Sequence, residues 1–264
     1  MNRLHTALEN NAGRPLLGAA VYSYDPIFLE ICAHLGYQAI WIEMEHAPIT
    51  FAQAADLCRM AAGSGMLTMI RIPDTRRESV LKAAECGPDI IDVPMVDTPE
   101  QMHQLHHYAR FAPEGGRGIF SVSRAMNYGI VESVVAGQRQ LNADLSLMAQ
   151  IETVSAVNRI DELAAVPDID LFIGPSDLAA SLGHAGQPAH PLVIDAARRI
   201  IAAAHRHHKL VATACPQSDF ALWLELGVNL LFCTNNIACM KKAAEESLAI
   251  ARAAVANTTP VAHR

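Results

Sequence analysis

Short apolar runs alternate with longer amphipathic stretches eight times along this chain. The runs are rich in Val, Ile and Leu and occupy residues 17–22, 39–43, 67–72, 90–93, 145–151, 169–173, 210–214 and 229–233. Unbroken runs of this kind are typical of parallel strands buried on both faces, because a half-exposed antiparallel strand alternates apolar and polar residues. The pattern therefore predicts eight strand–helix units joined in sequence.

Signals for helix starts and stops fall between the apolar runs. Asp25 precedes Pro26, which places a capping side chain ahead of a proline at the first helical position. The spacing of a capping box, in which side chains satisfy free amides of the first turn, occurs three times. These boxes are Thr50–Gln53, Thr75–Glu78 and Thr98–Gln101. Glycines that would end helices are Gly36, Gly63, Gly87 and Gly227.

Eight units are the number at which a parallel sheet closes into a (β/α)8 TIM barrel, and 264 residues is a typical length for one. The main alternative is an open, doubly wound sheet. Such sheets usually carry a glycine-rich phosphate loop after the first strand, and the sequence around Gly18 has no such motif. We therefore predict one barrel domain over residues 1–264.

Composition excludes several classes of protein. With 51% hydrophobic residues the chain is not disordered, and a net charge of −7 without lysine or arginine blocks argues against nucleic-acid or anionic-membrane partners. No apolar run reaches the roughly 18 residues of a membrane span, and the first residues lack the apolar core of a signal peptide. The six cysteines form no CxxC pair, so we expect reduced thiols and a cytoplasmic enzyme.

Polar residues gather at the predicted strand ends, where the reacting groups of a barrel enzyme lie. They are Glu43, Glu45 and His46 after the second strand, Arg71 after the third, Asp92 and Asp97 at the fourth, Gln150 and Glu152 at the fifth, and Gly174, Ser176 and Asp177 after the sixth. The convergence of carboxylates, a histidine and an arginine on one rim predicts an active site there.

Glu152 and Asp177 are the candidate metal ligands. They come from adjacent strand ends, and two carboxylates completed by oxygen or water ligands suit a hard divalent ion such as Mg²⁺ or Mn²⁺. Zinc would prefer histidine or cysteine. The alternative is that both carboxylates cap the helices that follow their strands.

Arg71 and His46 are the candidate catalytic residues. Arg71 follows an apolar strand and could bind a substrate carboxylate or stabilise an enolate, or it could simply pair with a strand-end carboxylate. Histidine exchanges protons near neutral pH, as a general base must. A lone histidine is more often packed in the core or solvated. The catalytic assignment of His46 therefore depends on its place beside Glu45 and near the strand of Arg71.

Other polar residues suit catalysis less well. His103, His106 and His107 have helical spacing but are expected on a solvated helix face. No lysine ends a strand, which argues against a Schiff base, and Ser176 lacks a nucleophile elbow. Two long connections, 111–144 and 174–191, are expected to surround the barrel mouth.

Several motifs together resemble the HpcH/HpaI aldolase family of class II pyruvate aldolases. They are the runs Glu45-His46-Ala47-Pro48, Ile70-Arg71, Val93-Pro94-Met95-Val96-Asp97-Thr98, Gly116-Arg117-Gly118, Gln150-Ile151-Glu152 and, from Ile173 to Gly183, a run that reads IGPSDLAASLG. These motifs occur in order over nearly the whole chain, and their combination is specific.

The resemblance implies a metal-dependent aldolase of the phosphoenolpyruvate/pyruvate barrel type. By motif, Glu152 and Asp177 would hold a divalent ion, with Mg²⁺ or Mn²⁺ ahead of Co²⁺, and Gln150, Gly174 and the backbone at Ser176 would bind the 2-oxo acid. Arg71 would stabilise the enolate, and His46 would act as base through a water that the metal holds. The resemblance also implies a homohexamer, a trimer of dimers whose subunits exchange their last helix, here the alanine-rich stretch 237–255.

The sequence departs from the family pattern at three places. Glu43-Met44 stands where the family usually has Asp-Gly, and 120–124 replaces a segment richer in alanine and glycine; both suggest altered aldehyde specificity. The family aspartate that raises the basicity of the histidine falls at Glu85, which is expected near a helix end away from the mouth. A third catalytic role, for Glu85, would therefore need a neighbouring subunit or an unexpected path of the chain.

The sequence thus predicts reversible aldol cleavage of a 4-hydroxy-2-oxo acid to an aldehyde and pyruvate, or a close 2-oxo acid such as hydroxypyruvate. One alternative is a CoA-ester lyase of the citrate or malyl type, although no basic patch for a CoA phosphate is evident. Another is a catalytically silent barrel that acts as a binding protein.

Overall fold

The computed structural model describes residues 2–258 and shows a closed barrel of eight parallel strands in sequential order. The strands β1–β8 are Leu16–Val21, Ala39–Glu43, Leu67–Arg71, Ile90–Val93, Ser146–Ile151, Asp170–Ile173, Val211–Ala214 and Leu230–Asn235. Pairing of β1 with β8 closes the sheet. The predicted (β/α)8 fold is therefore confirmed, and the predicted runs match the strands to within two residues at each end.

Twelve α-helices accompany the strands of the described chain. In chain order, α1–α12 are Arg3–Asn10, Pro26–Leu35, Phe51–Gly63, Arg77–Glu85, Pro99–Ala109, Val134–Asp144, Val154–Asn158, Ile160–Ala164, Pro175–Ser181, Pro191–Arg206, Phe220–Leu226 and Asn236–Ala256. None of the helices in residues 2–258 has the length and apolar character needed to cross a bilayer.

Most of the predicted helix signals are in place. Asp25 caps α2, and the boxes Thr50–Gln53 and Thr98–Gln101 cap α3 and α5. The predicted Thr75–Glu78 box is wrong, because α4 begins two residues after Thr75 and its N-cap, Arg76, makes no side-chain cap bond.

Alternation along the strands builds the barrel interior in layers. Side chains two residues apart on a strand share a face, so the interior positions 41 and 43, 69 and 71, 90 and 92, and 148 and 150 lie one above the other. The lower members are Trp41, Met69, Ile90 and Met148, which form one apolar cluster with Phe172 and Phe232. The upper members are Glu43, Arg71, Asp92 and Gln150, all buried. At the carboxyl end of the barrel, a layer of buried polar side chains therefore packs on a layer of apolar ones.

The opposite end of the barrel is closed by α1, which the sequence analysis did not predict. Leu4 and Leu8 are buried in the same cluster as the interior residues, and Arg3 pairs with Asp89 at 2.6 Å. The helix is short, and its two anchoring leucines four residues apart give a weak periodic signal.

The connection 111–144 does not lie where the sequence analysis expects it. It follows α5 and leads into β5, so it joins a helix to a strand and begins and ends on the side where strands start. Arg124 anchors it there by donating to the carbonyls of Cys86 and Gly87 at 2.8 Å and of Cys58 at 3.1 Å. The expectation that this segment surrounds the mouth of its own barrel is therefore wrong. The connection 174–191 does follow β6 at the mouth.

Candidate active site at the barrel mouth

Glu43 is the structural centre of the polar layer. Its Oε2 accepts from Arg71 Nε at 2.6 Å, and its Oε1 accepts from the backbone amides of Glu45 at 2.7 Å and His46 at 2.9 Å. The side chain is 2% exposed. One carboxylate thus fixes both the arginine and the turn that carries the histidine.

Arg71 lies among carboxylates and over an aromatic ring. Besides the bond to Glu43, its Nη1 lies 3.1 Å from Glu45 Oε2, and its guanidinium carbon is 4.9 Å from the centre of the Trp41 ring. Neighbouring Glu43, Asp92 and Glu45 hold its pKa above the usual value although burial opposes this. The pairing alternative raised from sequence is therefore observed, and it also orients the guanidinium within the mouth.

His46 is solvated, with 69% of its side chain exposed. Its Nε2 lies 3.6 Å from Glu45 Oε2, so Glu45 sits between the histidine and Arg71. Burial raises the pKa of Glu45, and the nearby Glu43 and Asp177 carboxylates add to this, while Arg71 and His46 oppose it.

Glu152 follows β5 and is 2% exposed. Its Oε1 accepts from the backbone amide of Met95 at 2.7 Å, and its Oε2 accepts from Gln150 Nε2 at 2.6 Å. Burial raises its pKa to about 7, and the charge of Asp177 adds to this effect, although both hydrogen bonds oppose it. The site therefore concentrates negative charge around this carboxylate.

Asp177 lies in the first turn of α9 with its side chain exposed. Neither it nor Glu152 caps a helix: Thr153 caps α7, and the N-cap of α9 is Gly174. The helix-cap alternative for the two carboxylates is thereby removed.

Gly174 makes room for Glu152. A Cβ atom at this position would lie 2.4 Å from Glu152 Oε2 and 2.7 Å from Gln150 Nε2, closer than real contacts allow. The predicted substrate-binding positions Gln150 and Gly174 are thus packed directly against the candidate metal ligand. Ser176, the third of them, lines a cavity of about 660 Å³ between β1, β7, β8 and the start of α12.

Two participants were missed by the sequence analysis. Met95 adopts a left-handed φ of 54°, uncommon for a residue with a side chain, and its amide holds Glu152. Asp92 was noted as a strand-end carboxylate but given no role; it is fully buried, and its two oxygens have no hydrogen-bond partner among residues 2–258. Burial raises its pKa well above the ordinary value despite the opposing charge of Arg71.

Glu85 lies elsewhere in the described chain. It is the last residue of α4, on the side where strands start, and its Oε1 accepts from Arg117 Nη2 at 2.8 Å. Arg117, part of the Gly116-Arg117-Gly118 motif, stacks on Phe111 at 4.5 Å. A role for Glu85 beside His46 stays a prediction that requires a second subunit.

Glu43 and Met44, the departures from the family pattern, do not reach out from the rim. Glu43 is buried beneath it, as described above, and Met44 packs against the apolar layer between strands and helices. An effect of these two residues on specificity stays a prediction, and only Glu43 contacts Arg71 and the amide of His46.

Comparison with known proteins agrees with this architecture. A family model described as HpcH/HpaI aldolase/citrate lyase matches residues 19–218. A 5-keto-4-deoxy-D-glucarate aldolase of Klebsiella pneumoniae is 30% identical, over 84% of this chain and 86% of the relative.

Two solved structures are similar over most of the fold. An HpcH/HpaI aldolase/citrate lyase family protein from Burkholderia cenocepacia superposes with a TM-score of 0.84 at 28% identity, covering 90% of this chain and 95% of the other. An HpcH/HpaI aldolase from Desulfitobacterium hafniense gives 0.85 at 25% identity, with 98% of each chain covered.

Proposed function

The chain belongs to the HpcH/HpaI aldolase/citrate lyase family and is a carbon–carbon lyase, and we propose that it is a divalent-metal-dependent class II aldolase. It cleaves a 4-hydroxy-2-oxo acid reversibly into an aldehyde and pyruvate, or a close 2-oxo acid such as hydroxypyruvate. The observation that carries this proposal is the buried Glu152, whose carboxylate is held by Met95 and Gln150 close to the charge of Asp177.

The donor set at Glu152 and Asp177 fits a hard divalent ion. Their mutual repulsion is relieved when a dication lies between them, and carboxylate oxygens are the ligands that Mg²⁺ and Mn²⁺ prefer. Among residues 2–258 no group of three or more His, Cys, Asp or Glu side chains could hold a metal. With only Glu152 and Asp177 as protein ligands, substrate and water would have to supply the remaining ligands of such an ion. An ion held there would supply positive charge near the keto oxygen and carboxylate of a bound 2-oxo acid.

Arg71 supplies the second positive charge at the mouth. Its Nε and Nη1 face Glu43 and Glu45, which leaves Nη2 for a substrate oxygen. Loss of a methyl proton turns the keto oxygen of pyruvate into an enolate oxygen, and a fixed donor aimed at it lowers the barrier. The guanidinium is already oriented, so it need not reorganise during the reaction.

His46 is the proposed base, acting on the methyl group of pyruvate in the direction of aldol addition. Its solvated ring can exchange protons with water after each turnover, and the Glu45 carboxylate lies 3.6 Å from its Nε2. In cleavage the base takes the proton of the 4-hydroxyl group, the C3–C4 bond breaks to give the aldehyde and the enolate, and the enolate carbon then takes a proton to give pyruvate.

The chain is further proposed to assemble by exchange of α12. Every residue of this helix from Ile237 to Ala256 is exposed, including the apolar Leu248 and Ile250. Asn236, at its start, donates to Ser23 at 2.7 Å beside the beginning of α2, and α2 exposes Ile27, Ile31 and Leu35 on one face. A second copy's α12 on this stripe would cover both surfaces, in keeping with a dimer-based hexamer.

Exchange of the pyruvate methyl protons in deuterated water tests the proposed activity. The metal-loaded protein should catalyse exchange, and EDTA should abolish it. Exchange that persists after complete metal removal would refute metal dependence. No exchange by properly folded, metal-loaded protein would favour a silent barrel, and release of free thiol from an acyl-CoA would favour a citrate- or malyl-type lyase.

A further inference from the structure

A second cavity lies at the other end of the barrel. Its volume is about 590 Å³, and it is bounded by the start of β5, the ends of α5 and α6, and the residues after α10. The side chains around it include six that are basic: His5, Arg110, Arg139, His207, His208 and Lys209. Because strands start at this end, the cavity is separate from the catalytic mouth.

Arg110 is the unusual member of this group. It is 5% exposed, and its Nη2 donates to the carbonyl of Leu145 at 2.9 Å. Its Nη1 is buried without a hydrogen-bond partner, and among the described residues the lining carboxylates Asp168 and Asp170 pair with histidines and not with the guanidinium. A buried cation without an ion-pair partner is costly, and burial lowers the pKa of Arg110, although the charges of Asp168 and Glu114 oppose this.

Ser146 adds a second donor at the same place. It follows Leu145, whose carbonyl binds Arg110, and its hydroxyl is buried without a partner in the described chain. Both residues line the cavity. The cavity lining thus includes a guanidinium and a hydroxyl, each with a buried donor that has no partner among residues 2–258.

The acidic residues around the cavity are directed elsewhere. Asp170 Oδ1 accepts from the amide of Leu210 at 2.9 Å, and its Oδ2 lies 3.9 Å from His5 Nε2. Asp168 is 72% exposed and lies 3.9 Å from His106. Glu114 is exposed. None of the three lies within ion-pair distance of Arg110, although the charges of Asp168 and Glu114 reach it.

We propose that this cavity binds a phosphate group, either as inorganic phosphate or as the ester of a small molecule. A tetrahedral dianion has acceptors enough for the guanidinium and the hydroxyl together. Arg139 and Lys209 also line the cavity, and Lys209 Nζ donates to the carbonyl of Val166 at 2.6 Å. A carboxylate would offer two oxygens and a single charge. The cavity volume leaves space for the organic part of an ester.

Calorimetric titration with inorganic phosphate and with glycerol 3-phosphate, at ionic strength fixed by sodium chloride, tests this proposal. We expect saturable binding of one ligand per chain, weakened at least tenfold by Arg110→Gln and severalfold by Ser146→Ala. Arg59→Gln, an exposed arginine elsewhere, is the matched control and should change nothing. The ligand that binds more tightly identifies the source of the phosphate group.

Arg71→Ala distinguishes the two ends of the barrel, because the mouth also holds a cation. Phosphate binding should survive this substitution. Binding that Arg71→Ala abolishes and Arg110→Gln retains would overturn the proposal, as would the absence of saturable binding to the wild-type protein. If Arg110→Gln does not fold, the exposed Arg139→Gln should still weaken binding twofold or more, and unchanged binding would count against the site.

Discussion

Glu43 Oε2 accepts a 2.6 Å hydrogen bond from Arg71 Nε, and the other oxygen of the same carboxylate holds the backbone amides of Glu45 and His46. The proposed enolate-binding cation and the proposed base are therefore positioned by one buried side chain. Their relative placement depends on its length and charge.

Glu43→Gln should leave metal binding intact and lower the rate of pyruvate proton exchange by about tenfold to a hundredfold, since small displacements of reacting groups cost this much. The neutral amide removes the charge that fixes Arg71 while keeping the size of the side chain. Exchange followed by proton NMR measures the effect, with Glu162→Gln, an exposed acid on α8, as control. An unchanged rate would show that Glu43 does not position the site.

Arg71→Ala should reduce turnover by about a hundredfold to a thousandfold, the usual cost of losing one donor to a developing oxyanion. Metal affinity, measured by calorimetry, should remain within about threefold of wild type because Arg71 is not a ligand. Arg71→Lys should recover little activity, since an ammonium cannot contact Glu43 and Glu45 in the same fork-like geometry. Normal turnover in Arg71→Ala would refute the enolate role.

The fold was predictable because it depends on local patterns that the sequence displays directly. Apolar runs gave the strands, and capping chemistry gave most helix starts, since both act over a few residues. The segment 111–144 was misplaced because its length was taken as the mark of a strand-to-helix loop, whereas it follows α5, which ends at Ala109, and leads into β5. The Thr75–Glu78 box failed because the same spacing also fits a loop, here held by Asp74 and Arg76.

The site was predictable only in outline. Strand ends converge in any barrel, so residues such as Glu152 and Arg71 could be placed at one rim from sequence. Two contacts could not be predicted: the bond from the Met95 amide to Glu152, and the bonds by which Glu43 holds both Arg71 and the amides of Glu45 and His46. They depend on the orientation of the backbone, which the residue types alone do not specify. One signal was available: three of the four residues from Glu43 to His46 are polar. Glu43 pairs with Arg71 across β2 and β3, and this register brings their side chains into contact.

The pKa of Glu152 predicts pH-dependent metal binding. Its carboxyl has a pKa of about 7 in the folded, metal-free protein, raised by burial and by Asp177. Protons therefore compete with the metal below this pH: about a tenth of the carboxyl is ionised at pH 6 and about nine tenths at pH 8. Affinity for Mn²⁺, measured by competition with a fluorescent chelator, should rise about tenfold between these values. Glu152→Gln should bind weakly at both, and a flat wild-type profile would contradict the assignment.

The same shift predicts how the metal-free protein responds to pH. The unfolded chain releases the Glu152 proton near pH 4.5, whereas the folded chain keeps it until about pH 7. The free energy of unfolding attributable to this group is therefore highest below pH 4.5 and falls as pH rises through 7. Saturating Mg²⁺ should offset the loss at pH 8, as urea denaturation can show, and Glu152→Gln should remove both effects.

His46→Ala should slow proton exchange by about a hundredfold or more, since a positioned base typically contributes that much. The side chain is largely solvated, so the substitution should leave the fold and metal affinity unchanged. Because solvent reaches this position, added imidazole should restore part of the exchange rate in His46→Ala and none in Arg71→Ala. Undiminished exchange in His46→Ala would show that another group removes the proton.

The exposed apolar residues of α12 and α2 predict that assembly depends on both helices. Leu248→Glu with Ile250→Glu, and separately Ile31→Glu, should each reduce the mass measured by light scattering, because a charged side chain cannot be buried between the helices without a partner. Glu162→Gln should retain the wild-type mass.

If the α12 variant dissociates and Ile31→Glu does not, α2 is not the acceptor surface. A wild-type protein that is monomeric at micromolar concentration would contradict helix exchange altogether. Dissociated variants should also lose exchange activity if Glu85 acts at His46 of a neighbouring subunit, which separates that role from its pairing with Arg117 within one chain.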